Sequence, residues 1–254
     1  MRIFSHTCSN TEIVCALGCA PWLVGVDADS DHPPEVVTGL PKPGRDLQLE
    51  VTAVVALKPD LVLTSLTVPG HEKILAQLQD AGLRTLVCDP HSLVDVYADI
   101  RRIAAALDVA ERGERLVAEM QAAMPPVHPL RRPRVLIEWW PKPVIAPARR
   151  SWASDVLHLA GGENPFAAQD AKSVQVDAPA ARAAGIELIA MSWCGVKPEN
   201  YRADLVRRRA GWQEVPAVRE NRVVAIPEAY LGRPGPRLVE GYRALRRALE
   251  QNFS

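Results

Sequence analysis

Short apolar runs alternate with segments of helical periodicity along this chain, stop at a proline-rich break, "PPVHPLRRPR" (125–134), and then start again. A strand followed by a helix and then by another strand lies parallel to that strand, with the helix packed on a sheet face. The doubled alternation therefore predicts an α/β chain with two lobes, each built on its own parallel sheet.

In the first half, "RIFS" (2–5) reads as a strand, "SNTEIVCALG" (9–18) as a helix with capping-box spacing at Ser9 and Glu12, and "LVGVD" (23–27) as a second strand. A short helix over 50–57, the strand "LVLTS" (61–65), a helix over 71–81 stopped by Gly82, and the strand "RTLVCD" (84–89) follow. From Ser92, a good N-cap, a helix places Leu93, Val96, Tyr97, Ile100, Ile103, Ala104 and Leu107 on one face. Another helical stretch covers 109–124. Beyond the break come the strand "VLIEWW" (135–140), a helix closed by Gly161 and Gly162, the strand "IELIAMSW" (186–193), a helix over 199–209 and the strand "NRVVAI" (221–226). The halves echo each other: "PDLVLTS" (59–65) and "IELIAMS" (186–192) share an acid, an apolar run and a terminal serine. The expected division is an N-terminal lobe over 1–107, a bridging helix over 108–127 and a C-terminal lobe over 128–254.

Balanced charge, 30 Lys plus Arg against 30 Asp plus Glu, argues against nucleic acid or an anionic membrane as partner. The five cysteines form no C-x-x-C pair, which argues against a disulfide framework and towards a reducing compartment. The start of the chain carries one positive charge and no long apolar run, so it has no signal-peptide pattern; taken as complete, the chain would be cytoplasmic. A metal site from His6, Cys8, Cys15 and Cys19 is less expected than small residues packed under a sheet, so no metal is expected. Neither G-x-S-x-G, H-E-x-x-H nor a P-loop is present, and a non-catalytic protein is expected.

The aromatic residues suggest a binding surface. Trp139, Trp140 and Trp193 fall at strand ends, where parallel α/β sheets take ligands, and Trp152 and Tyr230 lie in or near loops. Successive strand residues face opposite ways, so one of Trp139 and Trp140 faces a ligand while the other packs. The alternative is that these tryptophans are core. In "SDHPPEV" (30–36), His32 is either part of a plain extended loop or a ligand contact. Arg237 would sit in the first turn of a helix starting at Pro236, where the dipole disfavours a cation, with Arg233 just upstream.

These stretches, in this order, resemble the helical-backbone substrate-binding proteins of ABC importers, and most closely the cobalamin-binding branch. "RIFSHTCSNTEIVCALG", "LVGVDADSDHPPEV", "LEVTAVVALKPDLVLT", "LHLAGGENPF" and "GWQEVPAVRENRVVAIPEAYLGRPGPRLVEG" carry the likeness. It implies two Rossmann-like lobes joined by a long helix, a monomer, a corrinoid or metal-chelate ligand held between the lobes rather than a cofactor, a permease partner and an extracytoplasmic location. It also implies ligand contacts from Asp29, His32, Trp139 or Trp140, Trp193, Tyr230 and Arg233. Where cobalamin binders place aromatics, this chain has Asp29, Gly44 and Ser65. Arg233 is expected to meet a polar group of the ligand, and Arg237 an acid of the protein. Glu50 matches the first permease-docking glutamate; the second position falls at Pro179, leaving Asp177 as the nearest acid and an expected N-cap. A ferric siderophore or haem is the runner-up ligand. An intracellular corrinoid-binding or accessory protein, or an enzyme reusing the fold, is the alternative class.

Overall fold

The computed structural model describes residues 1–253, which divide into two compact units, 1–90 with 95–119 and 91–94 with 120–253. The first unit runs β1 (Ile3–Ser5), α1 (Cys8–Ala16), β2 (Leu23–Val26), α2 (Pro34–Val37), β3 (Gly44–Arg45), β4 (Gln48–Leu49), α3 (Val51–Ala56), β5 (Leu61–Ser65), α4 (His71–Asp80) and β6 (Thr85–Cys88). Helices α5 (Leu93–Ala106) and α6 (Ala110–Ala123) follow, and the division between the units falls within each of them.

The main sheet of this unit has the order β2-β1-β5-β6, and every pairing is parallel. All five residues of β5 are buried, as expected for a strand covered on both faces. Phe4, Leu49, Val54, Val62, Ile74 and Leu78 form a core cluster beside it. The expected face of α5 is real: Leu93, Val96, Tyr97, Ile100, Ile103, Ala104 and Leu107 are all buried.

The second unit runs β7 (Val135–Glu138), β8 (Trp140–Pro141), β9 (Val144–Pro147), α7 (Trp152–Leu159), β10 (Ser173–Gln175), α8 (Ala178–Ala183), β11 (Leu188–Met191), α9 (Ala203–Arg207), α10 (Pro216–Arg219), β12 (Val223–Ala225), α11 (Glu228–Leu231) and α12 (Leu238–Phe253). Its parallel sheet has the order β12-β11-β7, with the wholly buried β11 in the centre; β10-β9-β8 form a separate antiparallel sheet. The sequence echo is thus structural. "LVLTS" and "IELIAMS" supply an interior strand of each parallel sheet, and each run ends at a buried serine, Ser65 and Ser192.

Three local expectations change. Helix α1 begins at Cys8 after Thr7, whose φ is 82°, so Ser9 lies inside the helix and the Ser9–Glu12 capping box does not form. The segment 199–209 is broken: a 3-10 turn over Pro198–Asn200 and extended Tyr201 and Arg202 precede α9. Strand β7 ends at Glu138, one residue short of the tryptophan pair. Asp177 does cap α8, accepting from the Ala180 amide at 2.8 Å. No helix among the described residues is long and apolar enough to cross a membrane.

Candidate functional site

In the second unit, polar and aromatic side chains collect at the C-terminal ends of β7 and β11. Glu138, the last residue of β7, is fully buried and accepts from three donors. Arg209 donates twice, Nη2 to Oε1 at 2.7 Å and Nη1 to Oε2 at 2.9 Å, and the Trp193 indole donates to Oε1 at 2.9 Å. A paired, bidentate guanidinium is what makes a buried carboxylate tolerable. The same guanidinium stacks over the Trp212 ring at 4.6 Å.

Trp193 leads onward. Its ring lies 5.3 Å from that of Tyr201. The Tyr201 hydroxyl donates to the Trp193 carbonyl at 3.2 Å and accepts from the Glu228 amide at 3.1 Å, and burial pushes its pKa up to about 12. Glu228 opens α11 and pairs with Arg233 at 3.3 Å. A connected chain, Arg209, Glu138, Trp193, Tyr201, Glu228 and Arg233, therefore runs from the segment just after α9 to the loop before α12.

The expected residues are not all alike. Trp193 is 3% exposed and Trp152 is 6% exposed, so both are packed rings in this structure. Trp152 donates its indole N–H to the Leu231 carbonyl at 2.8 Å, and half-buried Trp139 lies 6.2 Å from it. Trp140 is 44% exposed on β8 and donates to the Lys142 carbonyl. Tyr230 and Arg233 are half-buried; Arg233 faces Glu228, and the Arg237 guanidinium sits 5.4 Å over the Tyr230 ring. Sequence reasoning missed Glu138 and Arg209, although one acid at the end of the apolar run "VLIE" was a signal.

In the first unit, Asp29 accepts from Arg45 Nη2 at 2.8 Å and from the Asp46 amide at 3.1 Å. His32 is half-buried and joined to Pro33 by a cis bond. Gly44 has φ 114°, and a Cβ there would run into the Gln48 carbonyl, so an aromatic has no room at this position. Asp27, just after β2, is buried and accepts from the Thr7 amide and the Ser30 hydroxyl; burial holds its carboxyl above the usual range. Glu50 is exposed at the N-cap of α3, and Pro179 is exposed in the first turn of α8. Among the described residues, no group of three or more His, Cys, Asp or Glu side chains is arranged to hold a metal.

Residues 3–230 match the periplasmic binding protein family model. The chain is 30% identical over 254 residues to the ABC transporter substrate-binding lipoprotein YvrC of Bacillus subtilis, covering 96% of this chain and 78% of that one. It is 26% identical over 241 residues to the vitamin B12-binding protein of Vibrio parahaemolyticus, covering 93% and 84%. Among solved structures, the periplasmic heme-binding protein RhuT from Roseiflexus sp. RS-1 superposes with a TM-score of 0.83 at 27% identity over 99% of this chain and 98% of that one.

Proposed function

Since this chain belongs to the periplasmic binding protein family, the solute-binding proteins of ABC importers, we propose that it binds cobalamin or a related corrinoid without converting it and delivers it to a permease outside the cytoplasm. The similarity to a vitamin B12-binding protein along 93% of the chain carries this reading. The half-buried aromatic and cationic groups of the second unit suit such a ligand: Trp139, Tyr230 and Arg233 offer flat apolar area with a donor for an amide or phosphate. Asp29 and His32 are the proposed contacts from the first unit, and Glu50 the proposed permease contact. Haem is the second reading, favoured by the likeness to RhuT.

Titration of the apo-protein with cyanocobalamin, haem and a ferric hydroxamate, followed by calorimetry and tryptophan fluorescence, separates the ligands. One-to-one binding of cyanocobalamin at about micromolar Kd or tighter is expected, weakened about tenfold or more by Arg233→Ala or Tyr230→Ala. Saturable binding of haem with none of cyanocobalamin would replace the corrinoid reading. Glu50→Lys should leave the affinity unchanged and lower transport by the reconstituted importer; unchanged transport would remove Glu50 from the docking surface.

A further inference from the structure

Arg233 has an anion of the protein beside it. Its Nε donates to Glu228 Oε2 at 3.3 Å, and the two side chains are only 13% and 18% exposed. At that depth water screens the two charges far less than it does on the open surface. The carboxylate is also held in place by its surroundings. The Glu228 amide donates to the Tyr201 hydroxyl at 3.1 Å, and the Glu228 carbonyl accepts from the Gly232 amide at 2.7 Å, which fixes the backbone that carries the side chain. Gly232 then leaves room for it: a Cβ there would lie 2.7 Å from Glu228 Oε1 and 3.0 Å from its Cγ. The φ of Gly232 is −81°, which any residue adopts, so the turn does not call for a glycine and the carboxylate does.

A guanidinium carries several N–H donors, so a carboxylate at Nε does not stop it from donating to a ligand as well. It does decide which ligand is favoured. A neutral acceptor, such as an amide carbonyl, accepts from Arg233 and meets no opposing charge. A carboxylate or phosphate brought to the same guanidinium comes up against Glu228, and like charges at close quarters cost affinity. Arg237, stacked 5.4 Å over the Tyr230 ring, is the neighbouring cation on this stretch.

We propose that Glu228 determines specificity by charge: paired with Arg233, it makes this contact selective for a neutral acceptor and disfavours ligands that present an anion there. The inference rests on the reading of Arg233 as a ligand contact. Glu228 acts through Arg233 and is a positioning residue. A corrinoid rimmed by amides meets the requirement, and Arg233 then takes a side-chain amide of that ligand and not its phosphate. Haem, with its two propionates, meets it less well.

Ligands that differ by a single charge read this directly. Calorimetry at about pH 7.5, where carboxylates are ionised, compares cyanocobalamin with its monocarboxylic acids, in each of which one side-chain amide is hydrolysed. The ratio of the acid and amide Kd values cancels any general loss of affinity or fold, and Arg237 is the same in every variant. Wild type should bind at least one acid about tenfold or more weakly than the amide, and Glu228→Gln, which keeps the shape without the charge, should close that gap about tenfold. Glu228→Gln combined with Arg233→Gln should show no such gain. For a protein that takes haem and not cobalamin, haem against its dimethyl ester gives the same ratio. Equal wild-type binding of all the acids and the amide, a ratio unmoved by Glu228→Gln, or a gain that persists without Arg233 would overturn the proposal and leave the ligand reading in place. Binding of neither cobalamin nor haem by wild type, or wild-type affinity in Arg233→Gln, would instead remove Arg233 as a ligand contact and the inference with it.

Discussion

Glu138 has three donors and no solvent, so its removal is unlike the loss of a surface acid. Glu138→Ala leaves the Arg209 guanidinium, only 14% exposed, without its partner and the Trp193 indole without an acceptor. Breaking one side of a buried ion pair costs about 3–5 kcal/mol, because the remaining charge stays desolvated. Urea denaturation of Glu138→Ala should show a loss of this size. The paired change Glu138→Leu with Arg209→Met should recover much of it, since no charge is then stranded. Recovery stays incomplete because the stacking of Arg209 on Trp212 and the indole hydrogen bond are both lost. A double variant as unstable as the single one would show that the site depends on the hydrogen bonds and not on charge balance.

At the scale of elements, the approach of α11 to α12 sets where Tyr230 and Leu231 lie, and Gly241 permits it. A Cβ at Gly241 would run into the Tyr230 carbonyl and lie 2.7 Å from Leu231 Cδ2. Helix propensity alone favours alanine over glycine by about 1 kcal/mol, but overpacking against backbone costs about 1–3 kcal/mol. Gly241→Ala should therefore lower the thermal midpoint and shift Trp152, whose indole holds the Leu231 carbonyl, whereas Arg243→Ala on the exposed face should not. A more stable Gly241→Ala would show that α11 can yield. The contrast between α12 and α5 explains what the sequence revealed. The buried face of α5 repeats every 3.6 residues, so it was legible; the need for Gly241 comes from a neighbouring helix and leaves no periodic trace. Similarly, "PDLVLTS" and "IELIAMS" disclosed the interior strands because burial on both faces makes a continuous apolar run. The antiparallel sheet was missed because β8 to β10 are short and contain Pro141 and Pro147. Tyr201 breaks the expected helix over 199–209 because its hydroxyl is tied to Trp193 and Glu228. Glu138 and Arg209, like His6 and Asp46, lie far apart in sequence and meet only through tertiary packing.

At the scale of the whole molecule, the two units differ in how acid acts on them and in how they can be watched. Each has its own core cluster, so one all-or-none transition is not guaranteed. His6 belongs to the first unit, and burial lowers its pKa from 6.5 to about 4. The native first unit then binds fewer protons than its unfolded chain between those values, so its stability is full above about pH 6.5 and falls as the pH drops towards 4, by up to about 3 kcal/mol. Asp46 adds to the loss at lower pH, since its depressed carboxyl favours the folded state only while ionised. Five of the six tryptophans, Trp139, Trp140, Trp152, Trp193 and Trp212, belong to the second unit, so fluorescence follows chiefly that unit while far-ultraviolet circular dichroism follows both. Urea unfolding at pH 7.5 and at pH 4.5 should thus give a larger acid shift by dichroism than by fluorescence, with a dichroism transition that broadens or splits at the lower pH. His6→Gln should reduce that separation if the imidazole is its source. Coincident transitions at both values would mean that the units unfold together and that the cost of protonating His6 is borne by the entire chain.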